Sequence, residues 1–365
     1  MNSLLINLSF LITKPTGHTN YAVNLLPHLQ SLDSTLLISQ TQYIASLPLA
    51  TSYNCYPIPA NLTPEQGTKG HLRRLIWTQV QLPRIYQELH SSLLFSPLPE
   101  APLYTNCRYI VTVHDLIPLR FPRLSPLTPY HRYYIPQVLA QAQHIICNSN
   151  ATADDIIDFF QIPASKITPI LLAYDANCFR PLSSKDKAMP YFLYIGRHDP
   201  HKNVPRIVEA FAAMAGCQEC ELWLAGSPDR RYTPKLQAQA KELGIADRVK
   251  FLDYVPDDEL STLLQNAIAL VFPSLWEGFG LPVLEAMACG TPTITSNFSS
   301  LPEVAGDAAL LVNPYSVEEI AAAMQAIVTD AQLRSHLSDL GIARANQFSW
   351  QKTGLATYEV LKRFL

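Results

Sequence analysis

FPSLWEGFGLPVLEAMACGTP, Phe272 to Pro292, is the stretch that decides the fold. An apolar strand ends at Phe272, and a loop carries Glu277-Gly278-Phe279-Gly280. Pro282 suits the first turn of a helix, whose missing N–H would be unpaired there anyway. Val283–Cys289 continues that helix, and Gly290 ends it. Strand, glycine-bearing loop and helix in that order is the repeating unit of a parallel α/β sheet. The two glycines let the backbone come close to a ligand. The free amides and positive dipole end of the helix favour an anionic group.

The same unit repeats in both directions from this stretch. Upstream, apolar runs predict strands at Leu4–Ile12, Thr35–Ser39, Leu93–Ser96, Ile110–His114, His144–Asn148 and Ile167–Leu172. Around the opening stretch they predict Tyr191–Gly196, Glu221–Gly226, Val249–Leu252, Ile268–Phe272, Thr291–Thr295 and Ala309–Val312. The runs are continuously apolar rather than alternating, which marks strands buried on both faces in helix-covered parallel sheets. Two blocks of strands alternating with helices imply two doubly wound α/β domains in tandem, spanning 1–173 and 191–348. The proline- and serine-bearing segment 174–190 reads as the linker. A helical pattern over 349–365 is expected to cross back toward the first domain.

Composition narrows the function. The chain has 365 residues, 48% hydrophobic and 16% charged, with a formal net charge of -3. That is a globular chain with ample core, and it carries no basic field to attract nucleic acid. The apolar N-terminus lacks a basic leader and reads as a buried strand rather than a signal peptide. No run approaches the roughly 18–20 apolar residues of a membrane span. A soluble, cytoplasmic protein is expected, at most attached to the inner face of a membrane. Seven scattered cysteines read as reduced, and the Cys217–Cys220 pair as two incidental thiols, because no further ligands stand near it for zinc.

Glu277 in the loop and Glu285 one turn inside the helix are placed to face one cleft. Carboxylates accept hydrogen bonds from hydroxyl pairs, and a sugar nucleotide offers two such pairs, on hexose and ribose. Either glutamate alone reads as a cap or a surface residue. A second constellation is YIGRHDPHKNVPRIVEAF, where Arg197 and Lys202 stand in the loop after Gly196. Asn203 is expected to cap the next helix through its side-chain oxygen. Two cations beside a helix start suit a diphosphate, although an isolated pair of this kind also reads as a solvated loop. A third is VTVHDLIPL, which puts His114 and Asp115 at a strand's C-terminal end, where open α/β sheets bind ligands. Asp115 reads as a turn cap or an acceptor contact.

These words resemble the family 4 retaining glycosyltransferases with the GT-B architecture. EGFGLPVLE (Glu277–Glu285) matches their E-x7-E motif. SNFSSLPEVAGDAALLVNP (296–314) and FLDYVPDDELSTLLQNAIALVFPS (251–274) are also similar, and the likeness is stronger in the second half than the first. The resemblance implies two Rossmann-like domains facing a deep cleft, with the acceptor on the first and the nucleotide sugar on the second. It implies that Glu277 and the backbone of Gly278, Phe279, Gly280 and Leu281 hold the donor sugar, and that Glu285 holds the ribose. Arg197 and Lys202, after Gly196, would stabilise the departing diphosphate. His114 would line the donor-sugar pocket and Val255 the base pocket. The family's glycine-rich first turn is reduced here to Gly17, with His18 where glycine is usual.

The reaction so implied moves a hexose with retained configuration from GDP-mannose or a UDP-hexose to a saccharide or lipid-linked acceptor. Segment similarity leans toward the mannosyltransferase-like members. No cofactor is implied, and no D-x-D motif offers metal ligands, so side-chain cations are expected in place of Mg²⁺. Alternatives are a same-fold epimerase or phosphorylase, and a non-catalytic nucleotide-sugar binder. A nicotinamide enzyme is disfavoured because GxGxxG is missing. The stretch 71–88 mixes Arg73, Arg74 and Arg84 with Leu72, Leu75, Ile76 and Trp77. It is a candidate for peripheral contact with anionic lipid, or a solvated face over a core.

Overall fold

The computed structural model describes residues 3–12, 16–39, 52–122, 128–182, 190–214 and 219–365. Pro15 of the first turn, residues 183–189 of the linker and Cys217 lie outside them. The described chain divides into two compact units, Met1–Leu172 with Trp350–Leu365, and Ala173–Ser349.

In chain order the first unit's strands are β1 Leu4–Asn7, β2 Ser34–Ser39, β3 Asn54–Ile58, β4 Leu93–Ser96, β5 Tyr109–Val113, β6 His144–Cys147 and β7 Ile167–Pro169. They form one parallel sheet ordered β3-β2-β1-β4-β5-β6-β7. The order reverses between β1 and β4, which makes the strand ends there the natural ligand crevice. Strands β1, β4, β5 and β6 are buried at every residue, as expected of mostly apolar strands covered on both faces, with Asn7, Ser96, Thr112 and His144 the polar exceptions. Strand β3 has no counterpart among the predicted strands. Its sequence NCYPI is mostly exposed and carries Pro57, which confines it to the sheet edge and removes the apolar signal. Strand β1 stops at Asn7 rather than Ile12, where the Asn7 side chain accepts from Ser9 N at 3.2 Å and turns the chain.

Trp350–Phe364 folds as a helix within this unit and packs on the helix Gly17–Leu29. Thr353 Oγ1 donates to Leu171 O at 2.7 Å, and Arg108 Nη2 donates to Phe364 O at 2.7 Å. Gly354 is needed for the approach, because a Cβ there would stand 2.3 Å from the His28 ring.

The second unit holds β8 Tyr191–Ile195, β9 Glu221–Ala225, β10 Val249–Leu252, β11 Ala269–Phe272, β12 Thr293–Ser296 and β13 Leu310–Val312. They form a parallel sheet ordered β10-β9-β8-β11-β12-β13, reversing between β8 and β11. Two glycines end neighbouring strands here with positive φ, Gly196 at 144° and Gly226 at 149°. A Cβ on Gly226 would lie 2.1 Å from Gly196 O, so only bare backbone fits at this crossing. Cys220 is disulfide-bonded, a correction to its reading as an incidental thiol.

Candidate functional site

In the second unit the site is built at the C-terminal ends of β8 and β11. After β8, Gly196 leads into Arg197 and then a short 3-10 turn, Pro200–Lys202. After β11 the chain runs through Glu277 to Gly280, whose φ of 113° admits only glycine comfortably, and enters the helix Leu281–Ala288. Pro282 stands in its first turn, as the sequence predicts.

Lys202 and Glu277 meet. Lys202 Nζ donates to Glu277 Oε1 at 2.7 Å and Oε2 at 2.8 Å, with Glu277 only 7% exposed. A carboxylate at that depth needs a partner, and Lys202 supplies it. Two serines fix the loop that carries Glu277. Glu277 N donates to Ser299 Oγ at 3.1 Å. Ser300 Oγ donates to Glu277 O at 3.1 Å and Phe279 O at 2.7 Å. Ser299 holds a left-handed φ of 57°, a conformation that costs a non-glycine residue and persists only where the surroundings impose it. Sequence reasoning did not single out either serine, though both lie in the SNFSSLPEVAG word that resembles the family.

Asn203 departs from expectation. It precedes the helix Val204–Ala213 in the left-handed region, and its side chain makes no cap. Instead Nδ2 donates to Pro273 O at 2.9 Å and Pro314 O at 2.6 Å, while Oδ1 accepts from Arg206. The residue ties the turn after β8 to the segments that follow β11 and β13, a long-range role that local sequence does not show. Asp115 does cap its own turn, accepting from Ile117 N at 3.0 Å.

Arg197 reaches outward, with a side chain 67% exposed and Nε 3.4 Å from Asp199 Oδ2. Glu285, within the helix, is half-buried as a residue, but its carboxyl lies among chain dense enough to matter. Burial, with a smaller contribution from Asp257, pushes it up to about 8, so at neutral pH it is largely protonated. Its charged neighbour is Asp257, at the start of the helix Asp257–Asn266, and not Lys202. Val255 lies just before that helix, half-buried. Among the described residues no group of three or more His, Cys, Asp or Glu side chains is arranged to hold a metal.

His114 belongs to the first unit and follows β5. Its ring is buried, and Nε2 donates to Pro97 O at 2.9 Å, since a carbonyl can only accept. Burial pushes its pKa down to about 3, so the imidazole is neutral. His18 lies 4.6 Å and Tyr21 4.8 Å away between ring centroids. Gly17 opens the helix after β1 with open space about it. Arg74, read in the sequence as part of a basic face, is buried instead. Nε and Nη2 donate to the two oxygens of Glu100 at 2.7 and 2.8 Å.

Two doubly wound units, each with polar side chains gathered where its strand order reverses, have the two-domain GT-B fold of nucleotide-sugar glycosyltransferases. Anabaena Alr3699/HepE, solved in complex with UDP and glucose, has the same fold over 100% of both chains, with a TM-score of 0.76 and 18% identity. The sequence matches the family profiles "Glycosyl transferases group 1" over residues 179–344 and "Glycosyltransferase Family 4" over residues 15–177. It is 33% identical to O-antigen chain mannosyltransferase B of Escherichia coli over 267 residues, 70% of each chain. It is 28% identical to O-antigen chain mannosyltransferase RfbU of Salmonella typhimurium over 85% of this chain and 87% of that one. The chain belongs to glycosyltransferase family 4.

Proposed function

We propose that the protein is a retaining, metal-independent hexosyltransferase of cell-surface glycan synthesis. It takes a hexose from GDP-mannose or a UDP-hexose and gives it to a saccharide or lipid-linked saccharide. The observation that carries this reading is the Lys202–Glu277 pair beneath a glycine-opened helix. The ammonium leaves a donor for a phosphate oxygen, and the carboxylate leaves lone pairs for sugar hydroxyls. The mannosyltransferase relatives and the UDP complex of a full-length structural neighbour support the substrate class.

In this reading the bond between the anomeric carbon and the diphosphate oxygen breaks while the acceptor oxygen attacks from the same face. The acceptor's proton passes to the departing phosphate. Glu277 and the amides of Gly278–Leu281 hold the hexose. A protonated Glu285 both donates to and accepts from the ribose hydroxyl pair. Arg197 and Lys202 offset charge growing on the diphosphate. Arg197→Ala is expected to cut turnover about 10²-fold, read as nucleoside diphosphate release with acceptor present. Normal turnover with only a lower melting temperature would count against the phosphate role. NMR of the product from an α-linked donor reads the configuration, and a β-product refutes retention.

Among the described residues no helix is long and apolar enough to cross a membrane. Contact with a lipid surface is assigned to the helix Gly67–Val80. It exposes Leu72, Ile76 and Val80 at 57%, 56% and 47%, one above another, beside exposed Lys69 and Arg73. The protein is expected to sediment with phosphatidylglycerol vesicles, and Ile76→Glu to remain in the supernatant. Equal sedimentation of both proteins removes this surface from consideration.

A further inference from the structure

A cavity of about 310 Å³ opens in the first unit beside His114. Its walls include His71, Arg74, Glu100, Asp115, Tyr130 and His131, none of which has a part in the donor chemistry above. Its size is at the small end of ligand sites, about 300–1,000 Å³, enough for one sugar residue and little more.

Two buried polar atoms on this wall have no partner, His71 Nε2 and His131 Nδ1. The tautomer of His71 follows from its neighbour. Arg74 Nη2 lies 3.0 Å from His71 Nδ1, and a guanidinium can only donate. Nδ1 therefore accepts, the proton sits on Nε2, and that N–H is an orphan donor. Buried polar groups of this kind are rare unless something hydrogen-bonds to them.

The charge on this wall is already committed. Both Arg74–Glu100 hydrogen bonds are short, Arg74 Nη1 donates to Leu62 O at 3.2 Å, and Tyr130 OH donates to Glu100 Oε1 at 3.3 Å. Burial lowers His71, His114 and His131 below the usual histidine range, so the imidazoles stay neutral. Among the described lining residues the remaining formal charge is the Asp115 carboxylate, which accepts hydroxyls and repels anions. A neutral imidazole offers one donor and one acceptor, which is what a hydroxyl group needs. The Tyr130 ring, edge-on to both His71 and His131, and the apolar Phe10 and Leu98 suit the C–H faces of a sugar.

We propose that this cavity seats the uncharged terminal sugar of the acceptor, hydrogen-bonded by His71 Nε2 and His131 Nδ1, and that it rejects uronic-acid termini. The proposal rests on the glycosyltransferase reading of the preceding section. Saturation-transfer NMR tests it with methyl α-mannoside, methyl α-glucoside and methyl α-mannosiduronate, in excess GDP and UDP to fill the donor site. At least one neutral glycoside binds, and the uronate binds at least tenfold more weakly. His131→Phe keeps the ring against Tyr130 and weakens the neutral glycoside about fivefold, the worth of one hydrogen bond. Tyr130→Phe replaces it should that variant melt early, with the Glu100 contact loosened and the same direction expected. No glycoside binding, which leaves a water-filled pocket, overturns the proposal. So does equal uronate binding, or variants that bind like the wild type. Nucleoside diphosphate release from GDP-mannose and UDP-glucose is measured in parallel. Glycoside binding without release under any acceptor sinks the transferase reading and spares the pocket. Acceptor-stimulated release that the pocket variants leave unchanged does the reverse.

Discussion

Lys202→Ala lowers the turnover number by about 10²- to 10³-fold, the usual cost of removing one group that stabilises charge developing in a transition state. Two losses combine in that figure. The ammonium no longer faces the departing diphosphate. Glu277, buried and held through both carboxylate oxygens by Lys202, also loses the contact that orients it toward the sugar. Because the two side chains act as a unit, their effects should not multiply. The double variant Lys202→Ala with Glu277→Gln is expected to turn over hardly more slowly than the worse single one. Lys202→Arg keeps the charge but not the compact ammonium that fits between two carboxylate oxygens, so it restores only part of the rate. The check is steady-state release of nucleoside diphosphate, with melting temperatures measured beside it. Wild-type protein at 100 times the dissociation constant of its nucleotide gains about 2.7 kcal/mol, and Lys202→Ala should gain less at the same concentration. A Lys202→Ala enzyme with near-normal turnover and only reduced stability makes the pair structural and removes the basis of the proposed chemistry.

Most of the fold was legible because burial on both faces leaves a plain mark. Every residue of β4, β5 and β11 is buried, and each is apolar but for Ser96 and Thr112. Strand β3 was illegible for the converse reason: at a sheet edge, with four of its five residues not buried, its side chains answer to solvent and its pairing comes from backbone alone. The loop and helix around Glu277 were legible because glycine, proline and carboxylates occupy positions where backbone geometry and capping dictate residue type. What lay hidden were contacts between distant segments. Asn203 looks like a helix cap and instead bridges two loops through Pro273 and Pro314. Ser299 and Ser300 look like turn residues and instead hold the Glu277 loop. Arg74 sat in a stretch that mixes three arginines with apolar residues and reads as a lipid contact or a solvated face, although it shares the helix stripe of the buried Gly70, Trp77 and Thr78. Only the partner Glu100, 26 residues away, explains its burial.

That partnership gives the largest stability effect expected in the first unit. Arg74→Leu should destabilise it by about 3–5 kcal/mol, because breaking a buried pair leaves one charge without compensation. Leu62 O and His71 Nδ1 lose their donor in the same step. At about 2–4 °C per kcal/mol for a unit of this size, the melting temperature should fall by about 6–20 °C. The pH dependence separates this cause from lost packing. Burial acts to raise the Glu100 pKa, but Arg74 outweighs it and holds the carboxyl below its ordinary range. A carboxyl depressed in the folded state contributes stability that is present above its unfolded pKa and fades as the pH falls through the folded one. In Arg74→Leu the depression is gone, burial dominates, and Glu100 takes up a proton on folding. The gap between wild type and variant is therefore widest near neutral pH and narrows toward pH 4. Lost packing would give a gap independent of pH. Replacing both partners, Arg74→Leu with Glu100→Leu, removes the stranded charge and should recover most of the loss. A double variant as unstable as the single one, with no narrowing of the gap in acid, would show that the side-chain volume of Arg74 and not its charge holds this part of the fold.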